Sequence, residues 1–329
     1  MKQRQESEVG GPGRGRRPDC FTVTADQADR RLDRVLRGLY PDVPLSAIMR
    51  AIRHGEVRID GAKSDGAARL AAGCVVTTPW AAERGRYKQS ARIAAPDAKA
   101  LSGDRKLRTI LRADSLWFVD KPPGLLSQPD RRGGDSVVTR AWDELCWRRD
   151  DFRPALVGRL DRNVSGVMMI ALDAPTLRLL WRLMSEDLVK KTYRAVVRGR
   201  PDPAAGEIDM PLRKDERANM VTAGEGLDAL TRYRVLDAGA GKGFSLVELD
   251  LVTGRPHQAR AHMSAIGCPI AGDSKYGPGQ RDLPKTRGKN RIFLHAYSLG
   301  LPDNPSLPQD IRGITVVSPL PETFRTFLA

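Results

Sequence analysis

The feature that most constrains the fold of this 329-residue chain is a run of six apolar residues, "VMMIAL", at 167–172. A short unbroken apolar run is typical of a β-strand that is buried on both faces. Such a strand needs other layers of structure on each side of its sheet. The chain from 110 to 327 alternates between strand-like and helix-like patterns without regular β-α-β spacing. We therefore predict an α+β domain with a central mixed, mainly antiparallel sheet flanked by helices.

The residues ahead of this strand read "RLDRNVSG" and place one carboxylate, Asp161, on the loop that enters it. A loop held by a rigid strand can aim a carboxylate into a cleft, partly out of water. The same pattern also fits a turn aspartate that caps local N–H groups, aided by Ser165 and Gly166. Both interpretations stay open from this stretch alone.

The N-terminal third predicts a separate small unit of two helices and a small sheet. Apolar residues at 32, 35, 36 and 39 form one stripe of an amphipathic helix that begins near Asp29. A second helix follows, with Ser46 as the expected N-cap and Gly55 as its end. The stretches "EVRIDG" and "LAAGCVVTTP" then predict two strands.

Both of these helices carry arginines away from their apolar face: Arg34 and Arg37 on the first, Arg50 and Arg53 on the second. This helix, helix, strand, strand order resembles the αL-type RNA-binding domain over residues 29–80. The resemblance implies that the four arginines contact RNA phosphates. The alternative is that these arginines form a solvent-exposed basic face without RNA contacts, as many helices do.

Net charge indicates the class of binding partner, and cysteine spacing bears on disulfides and zinc sites. The chain has 55 lysines and arginines against 40 acidic residues, a net charge of +15 and a pI near 10.0, so we expect a polyanion, with nucleic acid first. Its four cysteines are scattered, which indicates neither a disulfide framework nor a zinc site. We find no signal peptide and no membrane-length apolar run, so we expect a soluble, cytoplasmic protein.

Composition and periodicity suggest four segments. Residues 1–19 have the Gly, Pro and Arg content of a disordered basic tail, and 20–80 form the small RNA-binding domain. Residues 81–108 show no sustained period and are predicted to be a linker. The remaining residues, 109–329, form the α+β domain.

Five motifs follow one another in this larger domain. In chain order they are "KPPG", "RLDRNVSG", "KKTYRA", "TGRPHQARAH" and "GCPIAGDSKYG". Together they resemble the motifs of the RluA-type pseudouridine synthases, and the αL-type domain ahead of them resembles that of the branch that acts on large-subunit ribosomal RNA. The resemblance implies a pseudouridine synthase fold over about 110–327 and RNA uridine as the substrate.

The resemblance also implies roles for individual residues. The family's catalytic carboxylate falls on Asp161, its base-stacking tyrosine on Tyr193, and the arginine that pairs with the carboxylate on Arg260. Arg159 falls where a family arginine helps to occupy the space left by the flipped nucleotide. The chemistry agrees, because an attacking carboxylate must be ionised, a guanidinium favours that form, and an aromatic face can hold a free base.

Each of these residues also has a purely structural interpretation. Tyr193 could be a packed strand tyrosine and Arg260 a surface cation on its helix. His257 and His262 are five residues apart, so they do not share a helix face as a zinc-binding pair does, and we expect structural or RNA-contacting roles. The sequence departs from the family pattern at Gly158, Val164 and Ala259, which puts loop geometry and target preference in question.

The resulting prediction is a cofactor-free, metal-free enzyme, most simply a monomer, that isomerises uridines in structured RNA, with large-subunit rRNA as the expected target. A tRNA pseudouridine synthase and a non-catalytic ribosome-assembly factor are the alternatives. A carboxylate-dependent nucleosidase is a further rival, but such enzymes usually use a second positioned acid or base, and no partner carboxylate is evident from the sequence.

Overall fold

The computed structural model describes residues 19–40, 43–80, 105–130, 133–147, 152–215, 220–239, 243–279 and 291–325. The chain divides into two compact units, one within residues 1–92 and the other within 93–329. Residues 1–18 of the predicted tail and 81–104 of the predicted linker lie outside the described residues. The first described strand begins at Asp19, and the second unit's first strand begins at Arg108.

The first unit packs two helices on a small antiparallel sheet with the strand order β1-β4-β2-β3. Its core contains the helix residues Leu32, Leu36 and Ile48, which are fully buried. Gly55 ends the second helix in the left-handed conformation (φ 73°), as predicted. The elements are β1 (Asp19–Thr22), α1 (Leu32–Leu39), α2 (Leu45–His54), β2 (Arg58–Ile59), β3 (Ala62–Lys63) and β4 (Val75–Thr78).

Both helix starts differ from the sequence prediction. Asp29 has a left-handed backbone (φ 59°) and donates its N–H to Leu70 O, so α1 begins only at Leu32. The predicted N-cap Ser46 is wrong, because Pro44 occupies that position and Ser46 lies inside α2. Proline presets the backbone φ and can therefore start a helix without a side-chain cap.

The second unit is built on a ten-stranded sheet with the order β10-β13-β14-β9-β15-β8-β6-β5; β7 pairs with β8, and β16 with β15. β15 runs parallel to β8, and the other described pairs in this sheet are antiparallel. The predicted mixed, mainly antiparallel α+β architecture is confirmed.

Twelve strands and four helices are described in this unit. They are β5 (Arg108–Arg112), β6 (Leu116–Lys121), α3 (Val137–Glu144), β7 (Ala155–Leu156), β8 (Ser165–Ala171), α4 (Ala174–Ser185), β9 (Lys190–Arg198), β10 (Ala205–Asp209), β11 (Leu212–Asp215), β12 (Met220–Ala223), β13 (Leu230–Asp237), β14 (Phe244–Leu251), α5 (Gln258–Ala265), β15 (Leu294–Gly300), β16 (Thr315–Val317) and α6 (Glu322–Arg325). Of these, β11 and β12 pair with each other as a separate two-stranded sheet.

Five of the six residues of the apolar run "VMMIAL" lie in β8, and all seven residues of β8 are buried. Val167 and Met169 pack in a core that includes α4, whereas Met168 and Ile170 pack in a second core that includes α3. Successive strand side chains point to opposite faces, so β8 is covered on both sides, as predicted.

The first residues of β8 lie very close to the parallel strand β15. Gly166 has a positive φ (122°), and a Cβ atom there would collide with the backbone of Ala296. Only glycine meets both requirements. This close approach places the end of the loop that precedes β8 against β15.

Candidate active site

Asp161 lies in the loop between β7 and β8. Its carbonyl accepts a hydrogen bond from Val164 N–H (3.1 Å), which forms a turn, and its side chain is 35% exposed. Arg260 lies on α5, 99 residues further along the chain, and its Nη1 donates to Asp161 Oδ2 at 2.6 Å. The fold therefore brings together the two side chains that the family resemblance pairs.

Arg260 is not the surface cation that its helix position allowed. Its side chain is only 6% exposed and lies between two carboxylates. Nε and Nη2 donate to the two oxygens of Asp273, at 2.7 and 2.8 Å, and Asp273 is fully buried. Burial opposes the charge of Arg260, but the hydrogen bonds and charges of Asp273 and Asp161 outweigh burial and raise its pKa. The guanidinium is thus held in place before any substrate binds.

The residue before Asp161 is anchored by a buried serine. Ser127 Oγ donates to Leu160 O at 2.6 Å and accepts from Leu160 N–H at 3.1 Å. The Leu160 side chain packs against three hydrophobic clusters of this unit. One serine therefore satisfies both backbone groups of Leu160 and fixes the loop on one side of the carboxylate.

The residue after Asp161 is anchored by a buried lysine. Lys121, at the end of β6, has no exposed surface and donates its ammonium protons to three carbonyls: Pro122 (3.0 Å), Leu125 (2.8 Å) and Arg162 (2.9 Å). Burial lowers the pKa of Lys121 to about 7, against the opposing charges of Asp161 and Asp120. The "KPPG" turn and the Asp161 loop are therefore joined through one side chain.

The second oxygen of Asp161 faces a histidine. His257 precedes α5 with a left-handed backbone (φ 53°), and its Nε2 lies 3.6 Å from Asp161 Oδ1. Its Nδ1 is 2.9 Å from the hydroxyl of Tyr276, which also accepts from Val221 N–H at 2.7 Å. The Tyr276 ring in turn lies 5.0 Å from the Arg260 guanidinium.

Tyr193 lies on β9 between β14 and β15, opposite Leu249 and Ala296. It is half-buried and packs against two separate hydrophobic clusters, so it has structural contacts as well as an exposed part. Burial raises the pKa of its hydroxyl, and the negative charge of Asp161 raises it further. The phenol is therefore neutral at physiological pH.

The remaining predicted RNA-contacting residues are exposed. Arg159 lies on the Asp161 loop, two residues before the carboxylate. Arg34 and Arg37 lie on α1, and Arg50 and Arg53 on α2, all four in the first unit and all four exposed. They belong to a different compact unit from the Asp161–Arg260 pair.

Two of the departures from the family pattern are buried. Val164 and Ala259 are 2% and 3% exposed and pack in the same hydrophobic core. At Gly158, a Cβ atom would make ordinary contact with Met184 at 3.5 Å. Val164 and Gly158 lie on the carboxylate loop and Ala259 on α5, and the only hydrogen bond described from them to Asp161 or Arg260 is the backbone bond from Val164 N–H to Asp161 O.

Among the described residues, no group of three or more histidine, cysteine, aspartate or glutamate side chains is placed to hold a metal ion. In the same part of the chain, no helix is long and apolar enough to span a bilayer. His262 is buried, with Nδ1 2.9 Å from Thr231 Oγ1 and Nε2 3.0 Å from Met210 O.

The sequence patterns did not predict the residues that support the Asp161–Arg260 pair. Asp273 and Tyr276 are in the "GDSKYG" motif, and Lys121 opens the "KPPG" motif, but the motifs gave these side chains no roles. One signal was available for Lys121: a lysine that directly continues the buried strand "LWFVD" needs polar partners in the interior. No comparable signal distinguished Ser127 from other serines.

Comparisons with known proteins identify the family of the chain. The family profile described as RNA pseudouridylate synthase matches residues 115–265. The ribosomal large subunit pseudouridine synthase C of Vibrio cholerae is 32% identical over 282 residues, covering 84% of this chain and 86% of that protein. The protein of the same name from Escherichia coli K12 is 34% identical over 289 residues, with the same shares covered.

Among solved structures, human RNA pseudouridylate synthase domain containing 4 is 26% identical with a TM-score of 0.52, covering 70% of this chain and 93% of that one. Human RNA pseudouridylate synthase domain containing 1 matches with a TM-score of 0.51 at 24% identity, over 69% of this chain and 97% of that one, and shows the fold alone. With relatives above 30% identity along more than four fifths of its length, this chain belongs to the RluA-type RNA pseudouridine synthase family.

Proposed function

We propose that this protein converts specific uridines of large-subunit ribosomal RNA into pseudouridine, with Asp161 as the catalytic carboxylate. The observation that carries the proposal is the pair of Asp161 and Arg260, a part-exposed carboxylate fixed by a buried guanidinium. The names of the relatives support ribosomal RNA as the substrate class. The net charge of +15 supports a polyanionic partner.

The reaction needs one reactive carboxylate and no electron transfer. The bond between the ribose C1′ and the uracil N1 breaks, the base turns, and C1′ bonds to C5; the base loses a proton from C5 and gains one at N1. Asp161 Oδ2 is engaged by Arg260, so Oδ1 is the oxygen available to attack C1′ or to remove the neighbouring C2′ proton. Arg260 orients the carboxylate for either route through a charge-assisted hydrogen bond.

Tyr193 and Arg159 complete the proposed catalytic site. The target uridine must leave its stack to reach Asp161, which costs a few kcal/mol and is easiest in loops and bulges. Tyr193, neutral and half-buried, offers an aromatic face on which the freed base can stack while it turns. Arg159, exposed on the loop that carries Asp161, is suited to occupy the space that the flipped nucleotide leaves.

We assign RNA docking to the N-terminal domain, residues 20–80, through Arg34, Arg37, Arg50 and Arg53. Four exposed arginines on α1 and α2 supply positive charge for contacts with RNA phosphates. The chemistry asks for neither a cofactor nor a second subunit, so we propose a monomeric, cytoplasmic enzyme acting on rRNA.

The test is a map of pseudouridines in total RNA from wild-type cells, a deletion strain, and deletion strains complemented with wild-type protein, Asp161→Asn or the exposed control Asp303→Asn. We expect at least one large-subunit rRNA site to disappear in the deletion and to return with the wild type and the control, but not with Asp161→Asn. If no site disappears, the function is wrong.

Two other outcomes of that map redirect the proposal. Loss of sites in tRNA alone would keep the reaction and overturn the substrate. Full restoration by Asp161→Asn would remove Asp161 from the catalytic role. Release of free uracil by the purified protein would indicate a nucleosidase instead.

A further inference from the structure

His257 has a defined geometry at the site and no role in the proposed reaction. It is the residue closest to Asp161 Oδ1 among the ion pairs described, with Nε2 at 3.6 Å, and its side chain is only 13% exposed. A left-handed backbone, uncommon for a residue with a side chain, turns it toward the carboxylate at the start of α5. Such a conformation is retained where the surrounding structure requires it.

The hydrogen bonds of Tyr276 favour one tautomer of His257, with the proton on Nε2. The Tyr276 hydroxyl accepts from Val221 N–H at 2.7 Å, so its own proton is available to a second partner. That partner is His257 Nδ1, at 2.9 Å. A neutral imidazole that accepts at Nδ1 carries its proton on Nε2, the nitrogen that faces Asp161.

We propose that His257 is a positioning residue for Asp161, whose Nε2–H holds Oδ1 in the reactive orientation while Arg260 holds Oδ2. The inference rests on the proposed catalytic role of Asp161. A gap of 3.6 Å is long for a hydrogen bond, and contacts of this kind often shorten when the substrate closes the site. The Val221–Tyr276–His257 chain then sets the orientation of the carboxylate oxygen that reacts.

Burial favours the neutral form of this donor. Burial lowers the pKa of His257 below the ordinary histidine value, and the positive charges of Arg260 and Lys275 lower it further, against the opposing charges of Asp161 and Asp273. A neutral N–H orients a carboxylate without cancelling its charge, whereas an imidazolium would form an ion pair with Oδ1 and weaken its attack. Acidification through the His257 pKa should therefore slow the chemical step.

A matched pair of variants separates this role from a structural one. His257→Asn tolerates the left-handed backbone and can still meet Tyr276, but it is too short to reach Asp161. His257→Gln carries an amide N–H near the position of Nε2. Under single-turnover conditions with saturating RNA, we expect His257→Asn to slow the reaction roughly 10- to 100-fold, and His257→Gln to recover most of that loss.

The pH profile supplies a readout that packing alone would not change. We expect the wild-type rate to fall on the acid side of the ordinary histidine pKa, and the part of that fall due to His257 to be missing in His257→Gln. RNA affinity should be unchanged in both variants. If His257→Asn proves unstable in a thermal melt, the pH profile of His257→Gln decides the question.

The proposal is overturned if both variants keep the wild-type rate and pH profile while Asp161→Asn is inactive, a result that leaves the proposed function standing. It is also overturned if the two variants lose activity equally with an unchanged pH profile, which would indicate packing alone. Activity in Asp161→Asn would instead overturn the proposed function itself.

Discussion

Two groups of arginines in this molecule carry the same charge in opposite settings. Arg260 is 6% exposed and hydrogen-bonds two carboxylates that lie on separate loops. Arg34 and Arg37 lie exposed on α1 in the other unit. The role of a buried arginine depends on the particular partners that the fold brings to it, whereas the role of exposed arginines depends on their spacing along a helix.

The buried and the exposed arginines should therefore affect two different measured quantities, the reaction rate and the RNA affinity. Changes in the buried network around Asp161 should lower the rate at saturating RNA and the stability of the fold, with little effect on RNA affinity. Changes at the exposed arginines should lower RNA affinity and its salt dependence, with little effect on the rate at saturation. The predictions below test that separation, from the largest expected effect to the smallest.

Arg260→Met should have the largest effect. It leaves Asp273 buried without its cation, which costs about 3–5 kcal/mol of unfolding free energy, and removes the donor to Asp161, which slows the reaction about 10²- to 10³-fold. Urea unfolding and single-turnover assays measure both. As a control, Arg234→Met removes an exposed ion pair with Glu248 and should cost less than about 1 kcal/mol.

The double variant Arg260→Met with Asp273→Asn sharpens this result. Removing the orphaned charge should restore part of the lost stability but none of the lost rate, because Asp161 still lacks its donor. A double variant that recovered activity along with stability would show that Arg260 serves only the fold.

Lys121→Met should be next in size. It removes the ammonium donor from three carbonyls, of which Leu125 O is buried and Arg162 O keeps a second donor, Gly124 N–H, so we expect a loss of about 1–3 kcal/mol in unfolding free energy. The rate should also fall, since the Arg162 carbonyl beside Asp161 loses one of its two donors. The exposed Lys106→Met is the control and should change neither quantity measurably.

The stability lost in Lys121→Met should change with pH in a defined direction. Lys121 has a folded pKa of about 7 and an ordinary value of 10.5, so between these values the unfolded chain binds more protons than the folded protein. Stability contributed by Lys121 therefore rises as pH increases through this interval. The difference in unfolding free energy between wild type and Lys121→Met should widen from about pH 7 to pH 10, and a difference that narrowed would contradict the burial of the ammonium.

Changing Arg34 and Arg37 together to Gln tests the other side of the comparison. Each lost phosphate contact should lower RNA affinity several-fold and reduce the slope of log affinity against log salt by about 1. The rate at saturating RNA should stay at the wild-type value. Arg232→Gln, an exposed arginine paired with Glu207 in the second unit, is the control. Unchanged affinity and salt slope would mean that α1 does not contact RNA.

Ser127→Ala should have the smallest effect. It removes both hydrogen bonds to the Leu160 backbone and should cost about 1 kcal/mol, with a several-fold slower reaction and unchanged RNA affinity. Ser245→Ala is the matched control, because Ser245 is a buried serine that donates to Gly199 O away from the loop. Equal rates in the two variants would show that anchoring Leu160 does not affect the reaction.

Local patterns of the sequence were enough for the architecture. The apolar run of β8, the stripe of α1 and the glycine end of α2 each follow from neighbouring residues, because periodicity and backbone preference act over a few positions. The start of α2 at Pro44 is also local, since proline presets its own backbone, whereas the error at the start of α1 has the opposite origin. The backbone at Asp29 bonds to Leu70, a contact that no local rule contains.

The sequence by itself determined the fold class, the two basic helices and the motif order that identified Asp161, Tyr193 and Arg260 as candidates. Which hydrogen-bonding partners hold these side chains in place was decided only by the tertiary structure. Asp273 and Asp161 meet on one guanidinium from positions 13 and 99 residues away from it, and Lys121 reaches Arg162 across 41 residues. A charged side chain gains its partner, its burial and its pKa only when the folded backbone brings such distant positions together, because these electrostatic and hydrogen-bonding terms act over a few ångströms of space.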